Sequence, residues 1–364
     1  MLSMSKKTLG FGAAGFAAAS ILATSLPMMA SAEPTFTPGA SDYVGVGSDT
    51  TQNVVNAFAN KWNAKVPTPS SKWANFDAFL ASPPTPDNIV LRSTTGCDTP
   101  IARSTTAGSS AGIASLLNDV NGCIDYARSS RGKNAATDSN LLFIAFARDG
   151  VTWASFPVTS GTVTTTGNLT TANLTSIYNC TVTNWKTIKS SLPSNPIEPY
   201  APQSSSGTRK FFLTAIGVPT PGSCVRQPTI PLEENNGVAL QSAVSAAGDN
   251  ANLVVAPYSI AVFTAQKNGA PGVVDNRGGM TLRNIDGLVP VRASTGRLNP
   301  SFAPNFLRFV YNVVKPDLTT GTISTRMRKL FGTSAQGGFV CNQTTIIQQQ
   351  GFGSIGTLCG SITS

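Results

Sequence analysis

The sequence predicts an α/β protein with a mostly parallel sheet, divided into two domains. Three observations lead there. Predicted strands and helices alternate along most of the chain, the pattern of strand–helix units. The chain has 364 residues, about two ordinary domains, and 41% of them are hydrophobic, enough for a substantial core. Turns rich in glycine and small hydroxyl residues recur between a strand and a helix.

The elements follow in order. Lys6 and Lys7 precede the apolar stretch 8–25, "ASA" follows at 30–32, and "EPTFTPG" begins a polar, Pro-containing segment. That layout reads residues 1–32 as a cleaved secretory signal peptide. "DYVGVGSDTTQNVVNAFANKW" reads as strand, turn and helix, with Val54, Val55, Phe58 and Trp62 at helical spacing. Residues 66–88 are rich in Pro and Ser and read as a surface excursion. "NIVLRS" (88–93) reads as a strand, and "TTAGSSAGIASLLNDV" as a turn into a helix with Ile113, Leu116 and Leu117 inward. "CIDYARSSRG" (123–132) is a strand entering a polar loop. "LLFIAFARDGVTWAS" is long enough for a buried strand or a crossover. Residues 169–188 contain a helix with Leu174, Ile177 and Tyr178 on one face. Residues 196–218 read as strand, turn and helix, 237–261 as helix, turn and strand, and 308–314 as a further strand. The segments 165–185 and 342–350 are biased in composition, and no internal repeat is visible.

Composition points outside the cell. Charged residues are only 12%, against about 25% in an average soluble domain. Removing residues 1–32 takes two lysines and no acid, lowering the formal charge from +9 to +7. The mature chain is expected in the periplasm, at the cell surface or secreted. No cysteine near the cleavage point offers a lipid acceptor, so the protein would be retained by an outer membrane, tethered otherwise or released. Six cysteines, with no CxxC, allow 15 pairings. Sequential neighbours are favoured: Cys97–Cys123, Cys180–Cys224 and Cys341–Cys359, each worth roughly 3–4 kcal/mol by loop entropy. There is no histidine. A Ser-His-Asp or Cys-His nucleophile is therefore excluded, and the commonest zinc ligand is missing. No enzyme activity, metal or cofactor is expected.

Three stretches share one design: "GVGSDTTQ" (45–52), "AGSSAG" (107–112) and "SSSGTR" (204–209). Each places glycines and hydroxyls at the mouth of a predicted helix. The first helical turn has unpaired N–H groups and a partial positive charge. Glycine admits a ligand to the backbone, and hydroxyls add rotatable donors. Three such mouths facing one point would coordinate an oxyanion without a large positive charge. Taken singly, each is more simply an ordinary N-cap.

These motifs resemble the phosphate-binding proteins of bacterial ABC uptake systems. "GVGSDTTQNVVNAFANKW" is similar to that family's first turn and helix, and "GSSAGI" to its second turn. "IDYARSSRG" resembles its D-F-G-A-S-D strand end, and "LTTANLTSIYNCTVTNW" its I-(F/Y)…W helix. "SSSGTR" resembles its phosphate loop, and "NNGVALQSAVSAAGDNANLVVAPYS" its late helix–strand segment. The resemblance implies a two-lobed periplasmic-binding-protein type II fold with a hinge and an interlobe cleft. Residues 36–145 and 290–364 would form one lobe and 146–289 the other. It implies an oxyanion ligand, most simply inorganic phosphate, held by Ser48, Thr50 and Thr51, by Ser109 and Ser110, and by Ser206, Gly207 and Thr208. Ser130 with Arg128 would form a variable corner, and Arg128 or Arg209 would replace the charge of the family's arginine. Ser130 stands where the family has an aspartate, with Asp49 a substitute acceptor. Pro202 and Gln203 stand where the family has an arginine. The implied partner is an ABC permease, the chain itself a monomer with no nucleic-acid partner. The alternative is a secreted or surface protein of the same fold that has lost transport and binds an anionic surface polymer.

Overall fold

The computed structural model describes residues 33–80, 85–157, 166–227 and 233–363. The proposed signal peptide lies outside the described residues. The main sheet is mixed. Its principal strands are β1 (Tyr43–Gly47), β2 (Trp73–Asn75), β3 (Tyr126–Ser129), β4 (Leu142–Ser155), β5 (Glu198–Pro199), β6 (Val254–Ser259) and β7 (Leu307–Val314). They lie in the order β2-β1-β3-β7-β4-β6-β5. β1 runs parallel to β2 and β3, and β5 parallel to β6. β7 is antiparallel to β3 and β4, and β4 antiparallel to β6. This corrects the expectation of a mostly parallel sheet. The local βα alternation holds on each side, but the joining strands β4 and β7 run against their neighbours.

Those two strands carry the chain between two cores. One core gathers buried side chains from 43–147 and 310–359, Val46, Phe58, Trp73, Phe146 and Val313 among them, with Ala261 as an outlier. Two further clusters draw only on 151–306, around Trp153, Trp185 and Phe212 and around Tyr200 and Tyr258. Phe302 and Phe306 pack in the second group, so the C-terminal stretch joins the first core only from Val310 onward. The result is a two-lobed architecture.

Helices pack where the apolar spacing places them. In α1 (Gln52–Asn63), Val54, Val55 and Phe58 are buried and Trp62 is half-buried. In α2 (Ser109–Asn118), Ile113 and Leu116 are buried but Leu117 is 40% exposed, one step off the inward stripe. α3 (Thr171–Tyr178) buries Leu174, Ile177 and Tyr178. α4 (Gly207–Ala215), α5 (Gly237–Ala247) and α6 (Ile260–Lys267) complete the second lobe's helices used below. The Pro- and Ser-rich excursion hides a buried edge strand, β2. Trp73 sits in it with its indole N–H donating to Tyr126 Oη at 2.7 Å. Disulfides join Cys97–Cys123, Cys180–Cys224 and Cys341–Cys359. No helix among the described residues is long and apolar enough to cross a membrane.

Candidate functional site

The three Gly/Ser turns meet where the lobes touch. β1 ends at Gly47, and Ser48 follows, its N–H donating to Arg128 O at 3.1 Å. Ser48 Oγ donates to Ser130 Oγ at 3.1 Å, and Ser130 Oγ lies 3.2 Å from Ser109 Oγ. Ser109 Oγ also accepts the Ser130 N–H at 3.0 Å. The turns after β1 and β3 and the start of α2 are thereby laced together within the first lobe. Across to the second lobe, Ser110 N–H donates to Ser205 O at 3.1 Å, and Thr50 Oγ1 lies 3.1 Å from Thr208 Oγ1.

Two glycines make this closeness possible. Gly108 has φ +92°, and a Cβ there would strike Ser205. A Cβ on Gly207 would overlap the hydroxyls of Ser109 and Ser130. Any side chain at either position would wedge the lobes apart.

The capping explanation covers one of the three turns. Ser206 is a true N-cap, accepting the Arg209 N–H at 2.9 Å. Thr51 precedes α1 without a side-chain cap bond, and its buried Oγ1 has no hydrogen-bond partner among the described residues. Gly108 caps α2 with no side chain at all.

At the centre of the site sits a carboxylate. Glu234 is 2% exposed. Its Oε1 accepts from Thr50 Oγ1 at 2.5 Å. Its Oε2 accepts the Thr208 N–H at 3.0 Å, in the first turn of α4, and the Ser206 hydroxyl. Three of the expected donors, from both lobes, thus converge on an anion supplied by the chain itself. Sequence reasoning missed Glu234. The available signal was "EENN", a pair of acids before a helix in a chain poor in charge.

Asp49 lies against it. Burial, then the Glu234 charge and a hydrogen bond to it, push the Asp49 carboxyl well above its ordinary range. Burial also pushes Glu234 up, but the Asp49 hydrogen bond, Arg308, Ser206 and Thr50 outweigh it and hold Glu234 below the usual range. The two buried carboxyls are thus pushed in opposite directions, Asp49 toward its neutral form and Glu234 toward its charged one. Thr50 N–H donates to Asp49 Oδ1 at 2.8 Å, and no donor among the described residues reaches the buried Oδ2.

Arg308, on β7, supplies the cation beside the turns. Its Nη2 is 2.8 Å from Asp149 Oδ2 and donates to Thr208 Oγ1 at 2.8 Å. Asp149 is fully buried on β4 and also takes the Ser259 hydroxyl and the Ala261 N–H. Arg308 Nη1 is buried and has no partner among the described residues. Arg128 is placed differently. Its guanidinium donates to Ser48 O at 3.0 Å, Phe76 O at 2.9 Å, Gly47 O at 3.2 Å and Asn75 Oδ1, bracing the first turn from behind. Arg209 turns away, to Pro202 O at 2.8 Å and to Gln227. Ser110 Oγ accepts from Arg131, which pairs with Asp138 at 2.6 Å. No cluster of metal-ligating side chains occurs among the described residues.

A family model described as a PBP superfamily domain matches residues 37–316. The chain belongs to this superfamily. Solved structures with the same fold include one from Clostridium perfringens assigned as a phosphate ABC transporter substrate-binding protein, with bound phosphate. It is 17% identical at a TM-score of 0.53, over 86% of this chain and 100% of that one. An ABC-type phosphate transport receptor from Vibrio cholerae is 19% identical at a TM-score of 0.51, over 86% and 99%. No curated protein sequence matches this chain. At these identities the likeness to the solved structures is one of fold, and the superfamily's ligands must be argued from the residues at the lobe interface.

Proposed function

We propose that this protein is an extracytoplasmic solute-binding protein that reversibly holds an inorganic oxyanion, phosphate first, for uptake through an ABC permease. The observation that supports it most directly is the reception given to Glu234. An N–H at a helix N-terminus and hydroxyls from both lobes surround one buried negative group. The same cradle holds more donors than a carboxylate uses. Ser48, Ser109 and Ser130 form a hydroxyl cluster beside it, and Thr51 Oγ1 and Arg308 Nη1 have no partner among the described residues. A tetrahedral anion has the acceptor oxygens to meet them. Ser48, Thr50, Thr51, Ser109, Ser130, Ser206, Gly207, Thr208 and Arg308 would form the site. Arg128 would support it through the first turn. Asp49 is the acid beside it that could exchange a proton with a protonated oxyanion. No covalent chemistry is involved, and the chemistry of capture is hinge closure around the anion.

Calorimetric titration of the purified mature protein with phosphate, sulfate and arsenate tests this. Saturable binding of phosphate is expected. Absence of binding for all three at millimolar concentration would remove the reading. Ser206→Asp should abolish phosphate binding, since it sets a carboxylate against the anion. Unchanged affinity in that variant would remove Ser206 from the site.

A further inference from the structure

We propose that Glu234 is a resident competitor for the oxyanion site: it straps the two lobes together through the donors the oxyanion needs, so binding exchanges one anion for another. The proposal rests on the oxyanion reading above and adds what sets affinity and selectivity there.

The carboxylate bridges the lobes. Oε1 engages Thr50 of the first lobe, and Oε2 engages Ser206 and Thr208 of the second. Its presentation is built in. The next residue, Asn235, has a left-handed backbone at φ +62° and is anchored to the second lobe. Tyr258 Oη and Gln266 Nε2 donate to its carbonyl at 2.6 and 3.0 Å, and its Oδ1 accepts the Ser259 N–H at 2.7 Å. Asn235 Nδ2 in turn donates to Thr50 Oγ1 at 3.2 Å, reinforcing the strap.

The two anions exclude each other. An oxyanion centred on the three turns needs Thr50, Ser206 and the Thr208 N–H. Those are the groups Glu234 holds. The lobes meet too closely for a second ionised group alongside, with Gly207 against Ser109 and Ser130. Like charges in one buried site also oppose each other's ionisation. Selectivity follows from shape. A carboxylate offers two oxygens in a plane and leaves Arg308 Nη1 and Thr51 Oγ1 without partners among the described residues. A tetrahedral anion offers four oxygens, so it gains contacts that Glu234 does not make. A small monocarboxylate gains none and should not displace it.

The test compares wild type with Glu234→Ala and Glu234→Gln. Calorimetry with inorganic phosphate should show Glu234→Ala binding roughly tenfold tighter or more, because the competing closed form no longer reduces the competent population. Glu234→Gln keeps the size but loses the charge and should fall between, which also guards against a folding defect in the alanine variant. Small-angle scattering in phosphate-free buffer gives an independent readout. Glu234→Ala should have a larger radius of gyration than wild type and contract when phosphate is added, while wild type changes little. Wild-type affinity and an unchanged radius in both variants would overturn the competitor and leave the oxyanion reading standing. Weaker phosphate binding in both variants would also overturn it, by making Glu234 a support of the bound anion. No binding of phosphate, sulfate or arsenate by any of the three proteins would overturn the oxyanion reading itself, and this proposal with it.

Discussion

Arg128 and Arg308 are both buried beside the same turns, and the molecule uses them in opposite ways. Arg128 is completely enclosed, and its donors go to three main-chain carbonyls and the Asn75 amide. No ion pair to Arg128 occurs among the described residues, and burial lowers its pKa. Arg308 is held by Asp149 from the neighbouring crossing strand, directs one N–H at Thr208 and keeps another without a partner among the described residues. A buried guanidinium whose hydrogen bonds close on the main chain fixes a loop. One neutralised from behind, with a donor left over in front, can meet a ligand. The difference lies in what faces each group, because both have the same chemistry and nearly the same burial.

The largest effect that would break this comparison concerns Asp149. Arg308→Ala leaves a carboxylate fully buried without its cation, and removing one partner of such a pair costs about 3–5 kcal/mol. Urea unfolding should show that loss. A loss below about 1 kcal/mol would mean the pair behaves like an exposed salt bridge and does not hold the crossing strands together.

A second, smaller effect sharpens the Arg128 side. Asp77 lies nearby, 2% exposed, accepting from Asn56 Nδ2 at 2.8 Å. Burial pushes its carboxyl up to about 7, against the pull of the Asn56 bond and the Arg128 charge. The unfolded chain releases this proton near the ordinary aspartate value of 3.8 and the folded chain near 7. Between those values the unfolded state binds fewer protons, so stability should fall as pH rises from about 4 to 7 and then level off. The loss should be on the order of a few kcal/mol. Asp77→Asn should flatten that fall, and urea unfolding at pH 5 and pH 8 checks it. An equal slope in the variant would assign the proton elsewhere.

How much of this was legible beforehand follows the range of each signal. The Gly/Ser turns could be read because a helix mouth has a local signature, and "GSDTTQ", "GSSAG" and "SSGT" do meet at one place. The inward faces of α1 and α3 were readable for the same reason. Asp149 lies in the apolar run "LLFIAFARDGVTWAS", which sequence reading took only as a buried strand or crossover; its partner lies 159 residues away and is brought opposite it only by antiparallel register. Glu234 arrives at the site by tertiary folding, 26 residues after Thr208 and 184 after Thr50. The mixed sheet was hidden because strand direction is a property of the crossing connections, and β2 because three residues in a Pro-rich stretch carry too short a pattern to read.

The finest test of the comparison keeps both charges and changes only their shape. Lysine offers a compact ammonium where arginine offers a planar fork. At position 128 it cannot reach three carbonyls and an amide together. Arg128→Lys should therefore cost stability, about 1–3 kcal/mol for the carbonyls left without donors, and shift the phosphate Kd by no more than about threefold. At position 308 an ammonium can still pair with Asp149, so stability should change less. It lacks the Nη1 arm, which has no partner among the described residues, so the phosphate Kd should rise about tenfold, some 1.4 kcal/mol. Urea unfolding and calorimetry on the two variants separate these outcomes. If Arg128→Lys weakens phosphate binding as much as Arg308→Lys does, the first turn's brace and the site's cation are one coupled unit. The division between scaffold and ligand-facing arginine would then be wrong, since binding would depend on loop rigidity as strongly as on the free donor itself.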